Sequence, residues 1–156
     1  RVGVLFSPGV PDMPDSPAIV NLVEYVYGLA REWSWVHVWI NSAQDKSAIK
    51  ELMDGAMRRK GLASHQNIRI DYFNLPKFLF ELVISGKMIE RMRKRMKDKR
   101  FDGIVFFCDN DGGLTRSIAK LLRSSVVNVL PGKECYDWLE EGRRSALAIK
   151  EARDGR

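Results

Sequence analysis

Hydrophobic residues along this chain follow two alternating rhythms. Short apolar runs suited to strands are separated by stretches whose apolar positions recur every three or four residues, as on one face of a helix. The opening RVGVLF is a short strand that ends at the Ser-Pro-Gly turn of residues 7–9. After VPDMPD, Ser16 as N-cap and Pro17 at the first helical position mark a helix start. Its buried stripe is predicted to be Ile19, Val20, Val23, Val26, Tyr27 and Ala30. WVHVWIN follows as a second strand, with Trp35, His37 and Trp39 on one face and Val36, Val38 and Ile40 on the other. A second helix is predicted from about Asp45, with Ile49, Leu52, Met53 and Met57 inward and Gly61 as its stop.

The third strand is IRIDYFN, closed by the Leu75-Pro76 break. KFLFELVISGKMIERMRKRMKDKR is longer than one tidy helix and is expected to divide at Ser85-Gly86. Ile104, Val105, Phe106 and Phe107 form an unbroken apolar run, the pattern of a strand covered on both faces. LTRSIAKLLRS then reads as a helix, VVNVL as a fifth strand and residues 133–156 as a mostly helical tail. Strands separated by helices at this spacing imply right-handed crossovers and a three-layer α/β/α sandwich on a mainly parallel five-stranded sheet, a Rossmann-like plan. Residues 1–156 are read as a single domain, without repeat or linker.

The candidate chemistry lies at the end of the fourth strand. Asp109, Asn110 and Asp111 follow the apolar run directly, and Gly112 and Gly113 let the chain turn. Two carboxylates this close repel each other unless a cation lies between them. In open α/β sheets ligands bind beyond the carboxyl ends of the strands, which is where this motif is expected. A plainer reading of the same residues is that Asp109 and Asn110 cap the next helix while Asp111 shapes the turn.

Charge sharpens the picture. The net charge is +6 and the pI near 9.5, which favours an anionic partner. Arg91, Arg93, Lys94, Arg95, Lys97, Lys99 and Arg100 form a dense basic run, while Met88, Ile89, Met92 and Met96 supply an apolar stripe at helical spacing. Such a run holds a nucleic-acid backbone through salt-sensitive contacts, or serves as a solvated helix face. His37 is expected to pack between tryptophans, because neither His65 nor either cysteine has metal-ligand spacing to it. Cys108 and Cys135 are too few for a disulfide framework, so reduced thiols and an intracellular address are expected. At 156 residues the chain has no run near the roughly 20 apolar residues of a membrane span, and no membrane partner is expected. It opens at Arg1 instead of a methionine, as an excised or processed piece of a longer protein would.

Across nearly the whole chain the order of elements resembles the NYN branch of PIN-like ribonuclease domains, of the limkain-b1 type. GVLFSPGV, from Gly3 to Val10, resembles the start of that family's G-V-F-x-D-x-E-N strand, and VHVWINSAQDKSAIKEL is similar to its second unit. FCDNDGG resembles its S-G/T-D-x-D/N-F strand end, which places Asp109 and Asp111 on the family's acidic positions and Glu90 on its helix acid. The resemblance implies a PIN-like fold and hydrolysis of RNA phosphodiesters with Mg²⁺ or Mn²⁺ held by Asp109, Asp111 and Glu90. Arg93, Lys94, Arg95 and Arg116 would then bind RNA phosphates.

One position departs from the family. Ser7 stands where the first-strand aspartate belongs and Val10 where the asparagine belongs; Asp12 and Asp15 lie just beyond. Loss of one carboxylate weakens a two-metal site, so the alternative is a non-catalytic module that binds RNA or sits in a ribonucleoprotein assembly. LPGKECYDWLEEG, from Leu130 to Gly142, is also similar to a segment of Toprim domains, nucleic-acid enzymes that share a D-x-D after a buried strand. The opening GVL strand and the glycine turn are in turn similar to phosphofructokinases, although no Walker-type loop is present.

Overall fold

The computed structural model describes residues 2–6, 17–41, 46–60, 67–76, 79, 82, 83, 86, 102–107, 125–129 and 137–155. The described elements, in order, are β1 (Val2–Phe6), α1 (Pro17–Glu32), β2 (Val36–Asn41), α2 (Lys46–Arg59), β3 (Ile68–Phe73), β4 (Gly103–Phe107), β5 (Ser125–Val129) and α3 (Trp138–Asp154). The chain is an α/β protein. Its sheet runs β3-β2-β1-β4-β5 and every neighbouring pair is parallel.

Alternation along the strands sorts the side chains into two faces. Val2, Val4, Val36, Val38, Ile40 and Val105 belong to the cluster that also holds Leu22, Val23 and Val26 of α1 and Met53 and Ala56 of α2. His37, Trp39 and Ile104 point the other way and are fully buried too, so β2 and β4 are covered on both faces. This is why β4 reads as an unbroken apolar run.

α1 begins at Pro17, as its fixed φ predicts, and Val23, Val26, Tyr27 and Ala30 of the predicted stripe are buried. The burial extends further round the helix, to Leu22, Tyr25 and Leu29. The reason is α3, which packs on the second flank of α1 through glycines: a Cβ on Gly28 would collide with the Leu139 carbonyl oxygen, and one on Gly142 with that of Tyr25. Close approach lets the Trp33 indole N–H donate to the Ala146 carbonyl at 3.1 Å and sets Tyr25 edge-on to Trp138 at 6.4 Å. On the sheet side Ile149 of α3 sits where a Cβ of Gly103 would be, 2.6 Å from its nearest methyl.

Polar caps finish the helix ends. Asp137 accepts from the Leu139 and Glu140 amides at 3.0 and 3.2 Å and starts α3. Asn67, just before β3, donates to the carbonyls of Ala30 and Trp33, satisfying two acceptors at the end of α1. Met53 is buried and Leu52 and Met57 pack against the core, as the α2 stripe predicts. At the expected break at Ser85-Gly86, Gly86 is helical, and Ser85 lies outside the described residues. A lone glycine costs a helix about 1 kcal/mol and need not end it.

Candidate functional site

The strand order places the sheet's switch point between β1 and β4. From β1 the chain moves outward through β2 to β3, then returns to β4 on the other side of β1. Phe6 and Phe107 are register partners, so the carboxyl ends of β1 and β4 lie side by side. In open α/β sheets ligands bind beyond the carboxyl ends of the strands at such a switch point. The sequence reaches Asp109 two residues past Phe107 and Ser7 one residue past Phe6.

The predicted ligands Asp109, Asp111 and Glu90 lie outside the described residues, as do Arg93, Lys94, Arg95 and Arg116 and the family-position residues Ser7 and Val10. Among the described residues no group of three metal-ligating side chains converges. No described helix is long and apolar enough to cross a membrane.

One polar cluster within the described residues escaped the sequence reading. His37 stacks on Trp39, with ring centroids 4.3 Å apart, and its Nε2 lies 2.7 Å from Oδ2 of Asp71. Arg69 approaches the other oxygen of Asp71 at 3.7 Å. The register puts His37 opposite Arg69 and Trp39 opposite Asp71, so all four share the sheet face away from α1. His37 is fully buried, whereas Asp71 keeps 26% of its side-chain surface exposed. Its stacking on a tryptophan agrees with the aromatic packing expected from the sequence. The carboxylate partner depends on strand register, which periodicity alone does not supply. His37 is the second residue of β2, near the amino ends of the strands and away from the carboxyl ends of β1 and β4.

At the carboxyl end of β2, Asn41 forms a two-point clamp. Its amide donates to the Leu75 carbonyl at 2.9 Å and its carbonyl accepts from the Leu75 N–H at 3.0 Å. The side chain thus stands in for a strand partner and fixes the exit of the chain from β3 toward Pro76.

A cavity of about 110 Å³ lies between α1, α2 and the edge strand β3. Val23, Val26, Tyr27, Met53, Met57, Ile68 and Ile70 line it, and the Tyr27 hydroxyl donates to the Met57 sulfur at 3.3 Å. Apart from Tyr27 the lining is apolar, and the pocket is partly open to the surface.

Comparison with protein families, with curated proteins and with solved structures finds no match to this chain.

Proposed function

We propose that this chain is a PIN-like domain of three-layer α/β/α form that cleaves RNA phosphodiesters with the help of Mg²⁺ or Mn²⁺. The observation that supports it is the reversal of strand order about β1, which brings the ends of β1 and β4 together just before the acidic Asp-Asn-Asp sequence. Asp109, Asp111 and Glu90 are the carboxylates that would hold the ions. A bound ion would activate water and stabilise the charge that builds on the scissile phosphate. Arg93, Lys94, Arg95 and Arg116 would anchor flanking phosphates, the arginines through bidentate contacts. No side chain of the protein need act as a nucleophile.

The test is cleavage of labelled single-stranded RNA with Mn²⁺ by the wild type beside an Asp109→Asn, Asp111→Asn variant. Cleavage by the wild type alone is expected; equal cleavage by both, or by neither, rejects the enzymatic reading.

Ser7 at the family's first acidic position favours a second reading, an RNA-binding module without catalysis. RNA affinity would then persist in EDTA and fall when Arg93, Lys94 and Arg95 are changed to Ala. Affinity that disappears with the metal returns the argument to the first reading.

A further inference from the structure

β3 is an edge of the sheet, and every residue of it is described. The Val36 amide donates to the Asn67 carbonyl at 2.9 Å, and in a parallel ladder alternate residues turn both backbone groups the same way. Arg69, Asp71 and Phe73 therefore face β2, whereas Ile68, Ile70 and Tyr72 direct their N–H and C=O groups to the open side. Among the described residues no strand lies beyond them and no hydrogen bond reaches these groups. Natural edges are blunted by proline, lysine or a bulge, and Ile68–Phe73 has none of these. Its charges are one cation and one anion, Arg69 and Asp71, which share the face of His37. Arg69 keeps 55% of its side-chain surface exposed, and Asp71 gives one oxygen to His37 and turns the other toward Arg69. On the opposite face Ile68, Ile70 and Tyr72 are half-buried against the core.

We propose that β3 pairs antiparallel with β3 of a second copy of this chain, about a twofold axis at Ile70, joining the two sheets edge to edge. The outward residues then exchange N–H and C=O bonds: Ile70 with Ile70 of the second copy, Ile68 with its Tyr72, and Tyr72 with its Ile68. Between them Arg69 stands directly opposite Asp71 of the second copy, at the position where antiparallel side chains come closest. The apolar face matches as well, isoleucine on isoleucine and tyrosine on isoleucine. Moving the axis by one residue would set Arg69 against Arg69, or Asp71 against Asp71, so charge selects this register. A foreign strand would need no such pattern. Only isologous pairing requires that the strand be complementary to itself, and Ile-Arg-Ile-Asp-Tyr is. The strand is neutral overall, so the seam sets no net charge against net charge. The proposal uses neither Asp109 nor Asp111 and is independent of the ribonuclease reading.

The experiment is sedimentation equilibrium of the whole chain from about 10 µM to about 1 mM, with residue-resolved amide hydrogen exchange at both ends of that range. A concentration-dependent dimer is expected, in which the Ile68, Ile70 and Tyr72 amides exchange quickly when dilute and slowly when concentrated. Arg69→Glu replaces an exposed side chain, so the fold should survive, which far-UV circular dichroism checks. It is expected to weaken the dimer about tenfold or more, because both symmetric pairs become repulsive. Mixing it with Asp71→Lys places opposite charges at both pairs again and is expected to restore association. Where Asp71→Lys does not fold without its His37 partner, the wild-type exchange pattern reads the register without any substitution. A monomer at every concentration overturns the proposal. So does a dimer that Arg69→Glu leaves as tight, or one in which the three amides exchange as they do when dilute. Slow exchange of those amides already in the dilute monomer would mean that the chain covers its own edge, and failure of the folded variants to associate when mixed would mean that charge does not set the pairing; either result overturns it.

Discussion

Gly28 and Gly142 meet where α1 and α3 cross, and no side chain separates the two backbones. A Cβ on Gly28 would lie 3.0 Å from the Gly142 Cα as well as striking the Leu139 carbonyl, and backbone cannot swing aside as a side chain can. Gly28→Ala or Gly142→Ala must push the helices apart and lengthen the Trp33–Ala146 hydrogen bond. A loss of about 3 kcal/mol is expected for either, at the upper end of overpacking costs. Urea unfolding followed by tryptophan fluorescence measures it; a loss below about 1 kcal/mol would mean the helices slide freely.

The His37–Asp71 pair leads to a contrast between two changes at one position. Asp71→Ala leaves the buried His37 Nε2 without its 2.7 Å partner and is expected to destabilise by about 1–3 kcal/mol. Asp71→Asn offers either a donor or an acceptor to the ring and is expected to cost less than half as much. Equal losses in chemical denaturation would show that the carboxylate charge, which both variants lack, carries the effect and the neutral hydrogen bond adds nothing.

Alkaline pH should loosen the fold. Burial raises the Tyr25 phenol well above its usual range, the Ser145 side chain opposes this, and the charge of Glu141 adds to it. Tyr72 is pushed up to about 12, first by burial and then by the charge of Asp54. Both favour the neutral phenol in the folded state. Their contribution is therefore complete below pH 10.0, the ordinary tyrosine value, and is lost as pH climbs, through about 12 for Tyr72 and higher for Tyr25. The urea midpoint should fall steeply above pH 10.0, and less steeply in Tyr72→Phe. Parallel pH profiles for that variant and the wild type would refute the assignment.

The gap between α1, α2 and β3 can be filled. Val26→Ile adds one methylene toward the 110 Å³ cavity and is expected to stabilise by about 0.8 kcal/mol, or roughly 2–4 °C in Tm. Differential scanning calorimetry reads this directly. A lowered Tm would place the new methyl against a wall and not in the void.

How much of this was legible in the sequence depends on whether a feature is local. Pro17 as a helix start, the Val23–Val26–Tyr27 stripe and the apolar run into Phe107 are patterns within one element, and the structure places them as read. The second buried flank of α1, with Leu22, Tyr25 and Leu29, was not legible: it exists because α3, more than a hundred residues later, presents Gly142 to Gly28. The Asp71 partner of His37 was hidden for a similar reason, since a hydrogen bond across two strands needs their register. The switch point was not legible either, since alternation of strand and helix does not give the order of strands in the sheet, and spacing along the chain does not encode whether Asp109, Asp111 and Glu90 point toward one another.

Because α3 seats on α1, the sheet face that they share is covered out of sequence order. A ribosome that has delivered only β1 through β5 has made a chain whose Leu22, Tyr25 and Leu29 are bare, awaiting a lid still to be synthesised. Chaperone dependence and any aggregation of truncated forms should thus centre on α1 rather than on the strands beneath it.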